Sequence, residues 1–225
     1  MKQIVPAFLV QSEQQFEKQL RAVENDCTLI QIDILDGTLF PHTSWFDPIA
    51  IGQLKTSVEI ELHLMVENPI PIVEAFQKHV PTLKRAIVSA EMHRPIGTVT
   101  SYIKDMLHLE VGVAINPETP LKEIEEVLHE IDQLTIMGVH PGSMGQLFEG
   151  DAILDKIKLT KHHKPDLCIE IDGGVTEELI PTLIEAGVDR IVSGSMIFKN
   201  NAPTQKLQDL KHILAAGSGD PAYNV

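Results

Sequence analysis

Apolar positions along this chain come in short blocks of two alternating kinds. Near-continuous apolar runs at 3–10, 27–37, 58–66, 84–90, 109–116, 133–139, 167–172 and 190–193 predict eight strands. Between them, apolar residues recur every three or four positions. Phe16, Leu20 and Val23 follow Ser12, which reads as an N-cap with Glu13 and Gln15 in the opening turn. Further helices are predicted at 49–55, 69–79, 96–106, 120–130, 152–162, 177–186 and 205–215. The stretch 120–130 carries Leu121, Ile124, Val127 and Leu128 on one face, and Gly187 sits where a C-cap is needed.

Eight strand–helix units with no break in composition predict a single α/β domain, a (β/α)₈ TIM barrel over residues 1–216. Runs that are apolar at nearly every position suit parallel strands, which are buried on both faces. An open doubly wound sheet would more often begin with a glycine-rich turn after its first strand, and here that turn is Val10-Gln11-Ser12. The end, 217–225, has the Gly, Ser and Pro content of a disordered tail.

Composition narrows the partners. A net charge of −14 argues against nucleic acid or an anionic membrane as the main partner. It leaves room for a phosphorylated metabolite held by local backbone N–H groups. Only two cysteines occur, Cys27 and Cys168, each inside an apolar run, and they read as buried free thiols of a reducing cytosol. No apolar stretch is long enough to span a bilayer, and no leader pattern opens the chain, so a cytoplasmic protein is expected.

Within the strand Ile30-Gln31-Ile32-Asp33-Ile34-Leu35-Asp36-Gly37, alternation turns Gln31, Asp33 and Leu35 one way and the isoleucines the other. A polar face on a buried strand is costly unless its groups are paired or used. The pattern returns in Ile169-Glu170-Ile171-Asp172-Gly173-Gly174. In a barrel the active site lies where the strands end. Those ends carry Ala7 or Phe8, Asp33 and Asp36, His63 and Met65, Glu91, Asn116, Met137 and His140, Asp172, and Gly194-Ser195. Asp33, His63 and Asp172 therefore share a cavity. Glycines mark the last three loops: Gly142, Ser143, Met144 and Gly145 after the sixth strand, Gly173-Gly174 after the seventh and Gly194-Ser195 after the eighth. Such loops let backbone N–H groups approach a phosphate. His42, His93 and the pair His162-His163 read as surface residues, and His140 as a solvent-facing loop residue.

The segments Ile32 to Gly37, His63-Leu64-Met65-Val66, Asn116 to Pro120, Pro141 to Phe148, Ile171 to Val175 and Ser193-Gly194-Ser195 resemble the ribulose-phosphate 3-epimerase family in order and spacing, from about Ile4 to Phe198. The resemblance implies interconversion of ribulose 5-phosphate and xylulose 5-phosphate by moving a proton at C3 through an enediolate. It implies Asp33 and Asp172 as the acid/base pair, Asp33, His63 and Asp172 as ligands of a divalent metal (Zn, Fe or Mn), and Met65 and Met137 as sulfur side chains of the pocket. It further implies no organic cofactor, a phosphate site at the three glycine loops, and a homo-oligomer of pentose phosphate metabolism.

Several positions depart from the family pattern. Gln31 stands where the first His ligand belongs, and its neutral amide oxygen is a poor ligand for Zn²⁺ or Fe²⁺. Ala7 replaces a Ser that would touch substrate, Leu35 a third methionine, His42-Thr43 an Asn, Ser89 or Ala90 a His, and His140 an Asn or Glu. These changes leave two alternatives open: an epimerase of another ketose phosphate, such as a hexulose 6-phosphate, or a silent sugar-phosphate-binding barrel. A Schiff-base aldolase is disfavoured because no Lys appears near the C-terminal ends of strands five to seven.

Overall fold

The computed structural model describes residues 2–141 and 147–218. Its elements run β1 (Gln3–Phe8), α1 (Glu13–Val23), β2 (Leu29–Leu35), α2 (Pro48–Gln53), β3 (Glu59–Met65), α3 (Ile70–His79), β4 (Leu83–Ser89), α4 (Ile96–Ser101), β5 (Glu110–Ile115), β6 (Gln133–Met137), α5 (Asp151–His163), β7 (Cys168–Asp172), α6 (Ile180–Ala186), β8 (Arg190–Ser193), α7 (Ser195–Phe198) and α8 (Pro203–Ser218). The eight strands are parallel and close in sequence order, with β8 pairing β1. This is the (β/α)₈ barrel expected from the pattern of the chain.

Local chemistry explains the helix starts. Ser12 is extended and its Oγ accepts from Gln15 N at 3.2 Å, while Gln15 Oε1 accepts in return from Gln11 N. Asp47 accepts from Ile49 N and Ala50 N, with Pro48 in the first turn of α2. Gly187 ends α6 at φ 110°, a conformation with little strain only for glycine.

Three expectations are corrected. The predicted helix over 120–130 is a 3₁₀ turn, Leu121–Ile124, followed by a run of turns. Its apolar stripe nevertheless forms, with Ile124 and Val127 buried. The physical reason lies in a crowd of glutamates, Glu123, Glu125, Glu126 and Glu130, just after Pro120; like charges three and four apart weaken an α-helix. Second, the helix over 96–106 changes at Tyr102 into a π-helical turn, Tyr102–Met106, where Leu107 N reaches back to Tyr102 O. Third, α8 continues through Gly217 and Ser218, two residues assigned to the tail. The rest of that tail, from Gly219, lies outside the described residues.

Two cores result. Strand side chains facing the helices (Ile30, Ile32, Ile34, Leu62 and Leu64 among them) build the large outer core with Phe16, Leu20 and Phe76. Side chains facing the barrel axis form only a small apolar cluster, Val5, Ala7, Leu29 and Val192. Much of the remaining interior is polar. Arg85 pairs with Glu61 and reaches Glu110. Glu170 Oε1 accepts from Gln133 Nε2 at 2.8 Å and Thr135 Oγ1 at 2.9 Å. Burial, together with the charge of Glu61, holds the Glu170 carboxyl well above the usual carboxylate range. The active-site end of the barrel sits on this polar column.

Candidate active site

Register brings the expected residues together. Asp33 pairs with His63 across β2 and β3, and Met137 with Asp172 across β6 and β7, so the four side chains project from one level of the barrel. Asp33, His63, Met65, Met137 and Asp172 line one cavity at the strand ends, together with Ala7, Gly173, Gly174, Gly194 and Ser195. Leu9, Val139, Ser193 and Met196 are among the other lining residues, and the sequence reading named none of them for the site. Ser193 was reachable from sequence as the hydroxyl directly before Gly194-Ser195. Its Oγ is buried and has no partner among the described residues.

The centre is tight. His63 is 1 % exposed, and its Nδ1 lies 3.1 Å from Asp172 Oδ2 and 3.7 Å from Asp33 Oδ1. Burial alone would lower the His63 pKa. The hydrogen bond to Asp172 and the close negative charges of Asp172 and Asp33 overcome this and push it up to about 10. Burial pushes the Asp33 carboxyl up, and the charge of Asp172 adds to that against the hydrogen bonds from His63 and Gln31. The imidazolium thus sits between the two carboxyl groups.

Gln31, expected from the sequence to be a poor metal ligand, faces the centre with its nitrogen. Gln31 Nε2 donates to Asp33 Oδ1 at 2.7 Å and to Asp172 Oδ2 at 2.8 Å, while Oε1 is buried without a partner among the described residues. A buried unpaired carbonyl costs about 1–3 kcal/mol, and the two hydrogen bonds made by the nitrogen, at least one of them to a charged oxygen, offset it. The reverse orientation would aim a carbonyl at two carboxylates.

Asp33, His63 and Asp172 each offer a ligand atom, all within 4.8 Å of one another, a spacing suited to a metal ion. The Gln31 amide, however, spans the two carboxylates with an N–H donor, and a cation would seek the same lone pairs. With the amide so placed, the four residues do not fit a cation.

Other strand-end residues do structural work. Asp36 is exposed and its carboxylate accepts from Thr38 N and Thr38 Oγ1. Glu91 accepts from Asn116 N, Thr119 Oγ1 and Ser89 Oγ, tying the ends of β4 and β5. Lys156, from α5, donates to the carbonyls of Asn116, Pro117 and Thr119. His140 stands at the cavity rim, more than half exposed, between Glu118 and Glu149. His42, His93, His162 and His163 are exposed, as expected. Ser44 went unnoticed in the sequence: its Oγ accepts from Leu35 N at 3.0 Å and donates to Asp33 O at 2.8 Å, pinning the end of β2.

Glycine is required where the last loops meet. Gly174 has φ +70°, and a Cβ there would lie 2.7 Å from the Phe148 backbone; one on Gly138 would lie 2.2 Å from Gly173 O. Gly142, Ser143, Met144 and Gly145, the first of the three glycine loops, lie outside the described residues.

Comparison with known proteins places this arrangement. Residues 3–198 match the model of the ribulose-phosphate 3 epimerase family. The chain is 31 % identical over 223 residues to the ribulose-phosphate 3-epimerase of Bacillus subtilis, covering 94 % of this chain and 99 % of that protein. It is 31 % identical over 224 residues to the enzyme of the same name from Aquifex aeolicus, covering 93 % and 97 %. Among solved structures, 3-hexulose-6-phosphate synthase from Salmonella typhimurium superposes with a TM-score of 0.70 at 14 % identity, covering 96 % of this chain and all of that one. Orotidine 5'-monophosphate decarboxylase from Sulfolobus solfataricus gives 0.68 at 15 %, covering 96 % and 99 %. These last two share the barrel alone. By its family match and its relatives, the chain belongs to the ribulose-phosphate 3-epimerase family of isomerases.

Proposed function

We propose that the protein interconverts ribulose 5-phosphate and xylulose 5-phosphate, inverting C3 by proton transfer through an enediolate. The observation that carries this reading is the convergence of Asp33 and Asp172, from β2 and β7, on one cavity lined by His63, Met65 and Met137. Inversion next to a carbonyl needs a base on one face of the carbon and an acid on the other. Two carboxyl groups suit this when one holds a proton. The upward shift of Asp33 favours that division. One carboxylate removes the C3 proton and the other carboxyl delivers a proton to the opposite face. The buried His63 imidazolium balances negative charge as the enediolate forms.

Phosphate binding falls to the backbone of Gly173-Gly174 and Gly194-Ser195, with Ser193 Oγ as a further polar contact. Local N–H donors allow a protein of net charge −14 to hold an anionic substrate. Apolar side chains and the methionine sulfurs keep water from the enediolate.

Exchange of the C3 proton in deuterated water, followed by NMR with ribulose 5-phosphate, tests the reading. We expect exchange in the wild type and at least a ~10²-fold loss in Asp33→Asn. Absence of exchange in the wild type, with chelator or with added Zn²⁺ or Mn²⁺, rules out pentulose epimerisation.

A further inference from the structure

We infer that Gln31 is a positioning residue that takes the place of a cation: its amide N–H₂ bridges the two acid/base carboxyl groups and fixes their separation without a metal. The catalytic part of this inference rests on the epimerase reading above. The bridge itself rests on geometry.

Two carboxyl groups from strands on different sides of a barrel repel each other in a buried site, and something must hold them at a working distance. A divalent ion does this by charge. Here a planar amide does it by geometry, because its two N–H vectors diverge and each meets one carboxylate, Asp33 Oδ1 at 2.7 Å and Asp172 Oδ2 at 2.8 Å. His63 Nδ1, 3.5 Å from the same nitrogen, closes the ring of four. The amide is 0 % exposed and emerges from mid-strand, so its position is set by β2 rather than by a flexible loop. Its oxygen is buried with no partner among the described residues, so the nitrogen end makes all of the amide's contacts at the centre. A histidine at this position would offer a lone pair to a metal. A glutamine in this orientation offers only donors.

The bridge has a readout that does not depend on activity. In the full chain labelled with ¹⁵N at glutamine side chains, the Gln31 pair is assigned by its loss in Gln31→Met, a variant of similar volume. We expect both amide protons to exchange slowly with solvent, to ignore chelator, and to shift in Asp33→Asn and in Asp172→Asn. Wild-type protein dialysed against Zn²⁺ should retain far less than one equivalent, and Gln31→His should retain close to one. In the C3 exchange assay, Gln31→Met should lose about 10²-fold in kcat with KM changed less than about twofold, in a protein that still folds but melts at a lower temperature, since two buried carboxyl groups lose a donor.

A Gln31 amide that exchanges rapidly, or that shifts as wild type takes up one equivalent of Zn²⁺, overturns the bridge. Wild-type kcat in Gln31→Met overturns its positioning role. Intact amide behaviour in a wild type that exchanges no C3 proton supports the bridge and refutes the epimerase reading instead.

Discussion

At the scale of single residues, position within a strand decides chemistry more than residue type does. Gln31 looks like a ligand of the wrong kind when read from its oxygen and becomes a donor once the barrel closes. Ser44 shows the same dependence. It lies in a loop eleven residues beyond Asp33, and only the folded chain places its hydroxyl on both the Asp33 carbonyl and the Leu35 amide. Replacing it should free the end of β2. Ser44→Ala is expected to lower stability by about 1–3 kcal/mol in urea denaturation, the range for leaving buried backbone groups unpaired. It should also reduce kcat for C3 exchange more than it raises KM, since Asp33 loses its anchor. Unchanged kcat would show that β2 holds Asp33 unaided.

At the scale of elements, the strand ends and their loops were legible because alternation and glycine placement are local signals. What was not legible is how the loops press on one another. Gly174 is held at φ +70° against Phe148, a residue more than twenty positions earlier in the chain. Gly174→Ala is expected to cost about 1–3 kcal/mol from the disfavoured backbone, with a further penalty from the close approach. It should also weaken competitive inhibition by inorganic phosphate. Thermal unfolding and inhibition assays measure the two effects separately. The segment 120–130 teaches the converse lesson. Its apolar spacing correctly named the buried side chains, yet the backbone follows 3₁₀ and turn geometry, because periodicity reports which face is buried more reliably than which hydrogen bonds bury it.

At the scale of the molecule, the barrel has an apolar shell and a polar axis. The Glu61–Arg85 pair is almost fully buried, so removing one partner strands a charge. Arg85→Met should cost about 3–5 kcal/mol, whereas the double variant with Glu61→Leu should recover much of that loss. A double variant no more stable than Arg85→Met would mean that the axis depends on Glu61 for more than charge. Burial also governs the two cysteines, which are free and half-buried. It pushes the Cys27 thiol up to about 12 and Cys168 up to about 11. Since the thiolate is the reactive form, both should resist disulfide reagents near pH 8 in the native protein and gain reactivity only as pH approaches those values. Rapid labelling at pH 8 without denaturant would contradict the shifts. Among the described residues, no helix is long and apolar enough to cross a membrane.

The sequence by itself determined the strand and helix order, the closed parallel barrel, and the three ionisable residues that meet at its mouth. Each of these follows from local pattern: period two or near-continuous burial for strands, wider periodicity for helices, and the rule that strand ends carry the site. Tertiary structure alone decided the rest. It turned the Gln31 nitrogen, not its oxygen, toward the centre, it recruited Ser44 and Ser193, and it removed Asp36 and Glu91 to structural roles. Those outcomes depend on which groups face each other across a distance of many residues. Hydrogen-bond direction and charge pairing are settled only when both partners are in place.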